Sequence, residues 1–582
     1  MKRFWTVLAV IALLVTTVCI SRPLHAAEAS PVLAAMSAEL ERSLRILEGE
    51  ENPPYFLSYE IAEIHSVSMA ASFGKTVRRI NERRRHLDID VRVGSYELDN
   101  RHPRRGELRE RGFSQLFTEI YVPLDDDPDA IRSVLWWHTD KKYKQAVEDL
   151  TAVRTNVQVQ VEESDPSPDF SPAEPIEYID EPAALSLDVE AWSEKLERFS
   201  APFADHGTIY RADASLTAQA RTRWLSNSDG SRLQTTRVAY RLDLSAMTKA
   251  EDGMELPRHE TFFAYTPDGL PGDEAIETSV EKMIADLLAL REAPVVDPYT
   301  GPAMLSGRAS GVFFHEVFGH RIEGHRQKNE EEGQTFKKQV GRRILPSSFD
   351  VIFDPTRKAQ GETELAGHYR FDNEGVRAQR VAVVEDGVFQ GFLMSRSPIE
   401  GEAASNGHGR RQPGFEAVSR QSNLIVQVTE PQTAAELEAE FLRRLEEAGK
   451  PWGLFFEDIQ GGFTLTGRTI PNTFNVIPVM VYRVFVDGRR ELVRGVDLIG
   501  TPLTAFSAVV GGADRAEVFN GMCGAESGRV PVSAVSPAIL ISRVEVQKKD
   551  KSQDRLPILP APPLAPGAAA PMPPSVEGKQ AP

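Results

Sequence analysis

"FFHEVFGHRIEGHR", residues 313–326, sets three histidines five apart, His315, His320 and His325, with Glu316 directly after the first. A glutamate between two histidines is a zinc-hydrolase pattern, but the familiar helical form spaces its histidines four apart, H-E-x-x-H. Here the spacing is H-E-x-x-x-H. On a regular α-helix five residues turn through about 500°, which leaves the two side chains about 140° apart. Two such imidazoles share one metal only if the helix is widened by a π-bulge or ends between them. Gly319, just before His320, gives the backbone that freedom.

A catalytic zinc takes three protein ligands and keeps a fourth position for water. His315 and His320 supply two. Glu323, His325 and the distant Cys523 compete for the third, and both Glu323 and His325 also fit the description of solvated helix-face residues. Cys523 lies in "NGMCGAESGRVPVS" (520–533), flanked by Gly521 and Gly524, which reads as a flexible loop able to carry a thiolate to a metal. Glu316, beside a ligand, is placed to accept the proton of a water attacking a carbonyl. A thiolate ligand donates charge and weakens the Lewis acid, so modest turnover is expected rather than that of a fast digestive protease.

The chain has 582 residues, enough for two or more domains, and a formal charge of −18. That balance lacks the basic stripe of a nucleic-acid binder. Lys2 and Arg3, the apolar run from Phe4 to Ile20 and the small residues of "LHAAEAS" read as a secretory signal peptide over 1–27, and no later stretch resembles a membrane span. An uncleaved anchor is the alternative. Export, most simply to a periplasm, follows from the leader. Of two cysteines, Cys19 leaves with the signal, so no internal disulfide is available to the mature chain.

Periodicity predicts an α+β fold, with an N-terminal α/β portion over 30–295 and a β-rich portion over 296–548. Ser30-Pro31 reads as a helix start. "HLDIDVRVGS" alternates as a half-buried strand, helices are expected near 139–155 and 277–291, and strands near 208–266. The acidic, proline-rich stretch 161–183 reads as an exposed linker. Asp-Gly pairs in "VAVVEDGVFQGFLM" and "VYRVFVDGRRELV" mark hairpins, and Thr433 with Glu436 marks a capping box. From about 549 to 582 the chain is Pro/Ala-rich and reads as disordered.

The segment "PYTGPAMLSGRASGVFFHEVFGHRIEG" (298–324), followed in order by "NGHGRR", "SRQSN", "IQGGF", "LIGTPL" and "MCGAESGRVPV", resembles the TldD/PmbA family of metallopeptidases, and within it the metal-bearing TldD-like branch. The resemblance implies zinc held by His315, His320 and Cys523, with Glu316 as catalytic glutamate. It also implies peptide or unfolded substrates and a homodimer or a heterodimer with a related subunit. The best-known family members are cytoplasmic whereas this chain carries an export signal, and Ala525 stands where a lysine is expected. Asn406, Arg410 and Arg411 are candidates for holding a peptide carbonyl or carboxylate, or else pair with acidic neighbours. Gly461 and Gly462 are candidates for exposing strand backbone to an extended peptide. The competing readings are a non-catalytic, chaperone-like subunit with a structural metal closed by a fourth ligand, and a zinc amidase acting on a non-peptide amide.

Overall fold

Ser30 and Pro31 open the first helix as their residue types predict. The Ser30 hydroxyl accepts from the Leu33 amide, and Pro31 takes the first helical position of α1, Pro31–Leu47. The computed structural model describes residues 30–104, 119–159, 165–182, 184–329, 332–467 and 474–549, with positions 556, 557, 559 and 562. The leader and nearly all of the Pro/Ala-rich tail lie outside the described residues.

The fold is α+β. β1 (Pro54–Ser72) and β2 (Lys75–Val93) form a long antiparallel hairpin. β3 (Glu177–Ile179), β4 (Ile209–Asn227), β5 (Arg232–Lys249) and β6 (Glu255–Ala264) complete a six-stranded sheet in the order β2-β1-β4-β5-β3, with β6 also on β5. Alternate residues of a strand point to one face, and helices cover that face. α1 and α2 (Pro128–Val159) bury Leu57, Tyr59, Ile61 and Leu87. α3 (Val189–Ser200) and α4 (Asp273–Glu292) bury Val67, Met69, Leu216 and Leu244. α2 and α4 both begin earlier than their apolar periodicity indicates. At α2 the Asp127 carboxylate caps the Ala130 amide just ahead of Pro128. At α4 Asp273 and Glu274 sit in the first turn, where the helix dipole favours negative charge.

The second portion is a larger mixed sheet. It comprises β7 (Tyr299–Leu305), β8 (Phe349–Phe353), β9 (Val381–Glu385), β10 (Asn423–Val428), β11 (Trp452–Thr464), β12 (Phe474–Phe485), β13 (Arg490–Val493), β14 (Val496–Gly500), β15 (Val509–Ala525) and β16 (Gly528–Lys548). Pairing runs from β16 through β14, β12, β11 and β7 and returns to β16, so this part of the sheet closes on itself. α5 (Gly307–Val317) lies against β16 at close range. A Cβ on Gly311 would meet that of Ala534 at 3.0 Å, and one on Gly307 would meet the Ser536 carbonyl oxygen at 2.5 Å. The Asp-Gly pairs turn as expected. Asp386 (φ 48) and Gly387 (φ 75) turn β9 back, and Gly488 (φ 83) closes β12 onto β13. α6 (Ala434–Glu447) carries both halves of the Thr433–Glu436 capping box.

The 161–183 stretch departs from its composition. Among its described residues Asp165, Asp169, Phe170 and Ser171 are buried. The Phe170 ring lies between two guanidinium groups, 3.7 Å from that of Arg92 and 4.0 Å from that of Arg396. Lys328 Nζ reaches Asp169 at 2.9 Å. Residues 165–171 are therefore anchored to the fold, whereas the described residues 172–182 are exposed or half-buried. Cation–π and charge contacts from residues far along the chain bind 165–171 across both portions.

Candidate metal centre

α5 stops where the histidine spacing needs it to. The Ser306 hydroxyl caps the Ala309 amide at 3.1 Å, and the helix runs to Val317. A 3-10 turn, Gly319–Ile322, follows. Of the two geometries that bring His315 and His320 together, the helix end is the one observed. Gln421 fills the break. A Cβ on Gly319 would come within 2.0 Å of Gln421 Oε1, and Gln421 Nε2 donates to the His315 carbonyl at 3.3 Å.

The His315 and His320 rings then stand 5.0 Å apart between centroids, nearly perpendicular at 80°. His320 Nε2 lies 3.4 Å from Cys523 Sγ, and the ligand atoms of His315, His320 and Cys523 are all within 4.8 Å of one another. Tetrahedral zinc with its usual bond lengths separates such nitrogen and sulfur atoms by roughly 3.3–3.6 Å. The donor set and its spacing thus fit a metal ion. Cys523 is delivered by a strand and not by the flexible loop expected from its glycines. It sits on β15 opposite Val530 of β16, two residues from the hairpin tip at Ala525 and Gly528. Strand alternation turns Cys523 inward while Met522 and Gly524 face outward.

Burial and charge favour the ligating form of the sulfur. Burial alone would raise the Cys523 thiol, yet the charges of His320 and His315 hold it well below its ordinary value. Burial alone would lower the His320 imidazole, yet Cys523 and then Glu323 hold it well above. Glu323 is fully buried and is no solvated helix-face residue. Burial pushes its carboxyl up, but His320 and Arg326 pull it down to about 2. Glu323 Oε2 accepts from Arg326 Nη2 at 2.9 Å and lies 3.3 Å from His320 Nδ1, which turns His320 Nε2 toward Cys523. His325 pairs with Glu526. Among the described residues neither Glu323 nor His325 joins the three-membered ligand group.

His315, Glu316, His320 and Cys523 line a cleft of about 930 Å³, together with Gly461 and Gly462. Arg241, Asp243 and His259 from β5 and β6 form the facing wall, so the cleft lies between the two sheets. Gly462 abuts the Glu316 side chain, and a Cβ there would sit 2.9 Å from Glu316 Cγ. β11 pairs with β7 only over Leu454–Phe456, whereas it pairs with β12 through Thr464. Among the described residues nothing pairs with the other edge of 459–464.

Asn406, Arg410 and Arg411 do not line this cleft. Asn406 Oδ1 accepts from the Met394 amide and its Nδ2 donates to the Phe392 carbonyl, each at 2.8 Å. Arg410 donates to the carbonyls of Gln421 and Pro531. Arg411 faces Glu60 at 3.5 Å and Asp88 at 3.6 Å on the N-terminal sheet. The structure thus brings none of the three to the cleft that holds His315, His320 and Cys523, and for Arg411 the pairing with acidic neighbours is the alternative that forms. They face backbone groups and acids, the acids contributed from as far as 351 positions away in sequence (Glu60 to Arg411), which local reading does not reveal. Sequence reasoning also left unassigned Arg420 and Gln421, although the segment that contains them, "SRQSN", had been singled out. It missed Glu526 too, whose spacing of three from Cys523 was the available signal.

Residues 298–548 match the family model for the PmbA/TldA metallopeptidase C-terminal domain. The matched portion contains His315, Glu316, His320 and Cys523. It is 31% identical over 240 residues to a protein of Archaeoglobus fulgidus named a metalloprotease, covering 41% of this chain and 51% of that one. It is 22% identical over 251 residues to the metalloprotease TldD homolog of Haemophilus influenzae, covering 42% and 48%. The chain thus spans about half the length of the curated relatives it matches. The crystal structure of TldE from Thermococcus kodakarensis shares the fold at a TM-score of 0.58 and 13% identity, over 88% of this chain and 100% of that one. A putative modulator of a DNA gyrase from Thermotoga maritima does so at 0.57 and 14%, over 88% and 99%.

Proposed function

We propose that the chain is an exported, zinc-dependent peptidase acting on peptides or unfolded segments. The observation that carries this reading is the convergence of His315, His320 and Cys523 beside Glu316 in an open cleft. Two imidazoles and a thiolate are a zinc-type donor set, and three protein ligands rather than four among the described residues leave a position free, as catalytic sites do and structural sites do not. That count speaks against the non-catalytic reading. When bound, zinc supplies Lewis acidity to a carbonyl and to an attacking water. Glu316 takes up the water's proton on its carboxylate and returns it to the leaving amine. Glu323 keeps the His320 ring in its ligating orientation. The open edge of β11 at Gly461 and Gly462 receives an extended peptide as an added strand. Export rests on the leader, and association as a homodimer or heterodimer with a related subunit belongs to the same reading.

The test is a digest of the zinc-loaded mature protein. An unfolded polypeptide is expected to be cut, a compact folded one spared, and both left intact after chelation. Equal cutting of the two, or cutting that survives metal removal, would overturn the proposal.

Gly462 gives a second expectation. A methyl group at this position meets the Asn475 carbonyl oxygen at 2.8 Å and Glu316 Cγ at 2.9 Å, so the Glu316 side chain, the more yielding of the two, must move aside while no ligand side chain is among the atoms met. Gly462→Ala should lower kcat by about 10- to 100-fold, the range of supporting residues, with zinc content unchanged. Activity and metal content both intact would show that Glu316 needs no such space.

A further inference from the structure

Ser419, Arg420, Gln421, Ser422 and Asn423 are all fully buried, and the zinc-peptidase reading gives Arg420 no task. Its guanidinium nonetheless touches the candidate centre directly. Arg420 Nη2 donates to the Cys523 carbonyl at 2.9 Å and to Cys523 Sγ at 3.2 Å. Nη1 donates to Ser527 Oγ at 2.6 Å and to the Gly528 carbonyl at 3.0 Å, both at the hairpin tip. Nε stands 3.4 Å from Glu323 Oε1, the carboxylate whose other oxygen faces His320.

The geometry points to Arg420 as a positioning residue that sets both the direction and the donor strength of the Cys523 thiolate toward the metal. One rigid fork joins the sulfur, the turn that carries it and the carboxylate behind the neighbouring ligand. A guanidinium keeps its protons at every accessible pH, so the sulfur always accepts a hydrogen bond. That bond draws electron density from the thiolate, weakens its donation and preserves Lewis acidity that a bare thiolate would quench. Outer-shell partners act on metals in this way. A lysine has the charge but not the fork, and cannot hold sulfur and hairpin tip together.

The inference rests on the reading that Cys523 is a ligand, so the test reads the metal–sulfur bond itself. The protein is loaded with cobalt(II), whose sulfur-to-metal charge-transfer band reports thiolate donation. Arg420→Lys should move the band to lower energy and lower kcat of the zinc form by about 10- to 100-fold, with KM little changed. Because Arg420 is buried against Glu323, a paired variant, Glu323→Gln with Arg420→Met, removes both charges and should show the same shift. A band unmoved in both variants would reduce Arg420 to a structural role and overturn the inference. A wild-type cobalt protein without the band would overturn the ligand assignment and this inference with it. A wild-type band without hydrolysis, and with the shift present, would remove the peptidase reading while upholding the role of Arg420.

Discussion

Glu316→Gln is expected to keep the metal and lose the reaction. The two side chains have the same shape, and position 316 is buried at the end of α5 on the cleft wall. The substitution therefore leaves packing, the Gly462 contact and the ligand group in place. It removes the carboxylate that, in the proposed function, takes up a proton from the attacking water. General acid–base groups contribute about 10²–10⁴-fold, which corresponds to roughly 2.7–5.5 kcal/mol of barrier at 1.36 kcal/mol per decade. Zinc content by mass spectrometry, a thermal melt and kcat on an unfolded polypeptide check it together. Full zinc, an unchanged melt and a kcat lowered by at least about a hundredfold support the assignment. Undiminished turnover would end it and turn attention to His325 and Glu526, which share the cleft.

What the residues reveal in advance divides by the range of the forces involved. Local chemistry was readable. The Ser30 cap, the Thr433–Glu436 box and the Asp-Gly turns each depend on neighbours a few positions away, and all form where expected. The α+β class followed from periodicities of the same short range. The helix break at Gly319 was readable as a demand but not as a cause. The spacing of His315 and His320 required it, whereas the group that enforces it, Gln421, comes from about a hundred positions further along. Long-range charge pairing accounts for the rest. Glu323 looks like a surface residue until Arg326 and Arg420 are seen around it. Arg411 looks like a substrate anchor until Glu60 and Asp88 meet it. The 161–183 stretch is acidic and proline-rich, and the burial of Asp169 and Phe170 within it depends on Arg92, Arg396 and Lys328. Composition marks a charge as costly to bury but does not say which distant partner offsets that cost.

Cys523→Ala should abolish zinc retention, and with it hydrolysis. The ligand group has three members, so the substitution leaves two imidazoles and no thiolate. Even partners one bond removed from a metal cost about 10- to 100-fold in affinity when lost, and a direct ligand costs more. The fold should tolerate the change. Cys523 is a small buried side chain, Arg420 retains the Cys523 and Gly528 carbonyls and Ser527 Oγ, and the β15–β16 ladder runs through backbone groups that alanine keeps. Thermal melts separate loss of metal from loss of fold. A ligand at about 100 times its dissociation constant stabilises by roughly 2.7 kcal/mol, so zinc should raise the wild-type Tm and leave that of the variant unmoved. Without zinc the two should melt close together. The two histidines should stay in place, because Gln421 and the end of α5 hold them independently of the sulfur. A variant that binds one zinc with undiminished affinity, or still cleaves an unfolded polypeptide, would show that the sulfur is a bystander 3.4 Å from His320. The metal would then have to be held by the histidines with Glu323 swung out of its arginine pairs, at the cost of the one carboxylate that Arg326 and Arg420 share in the core.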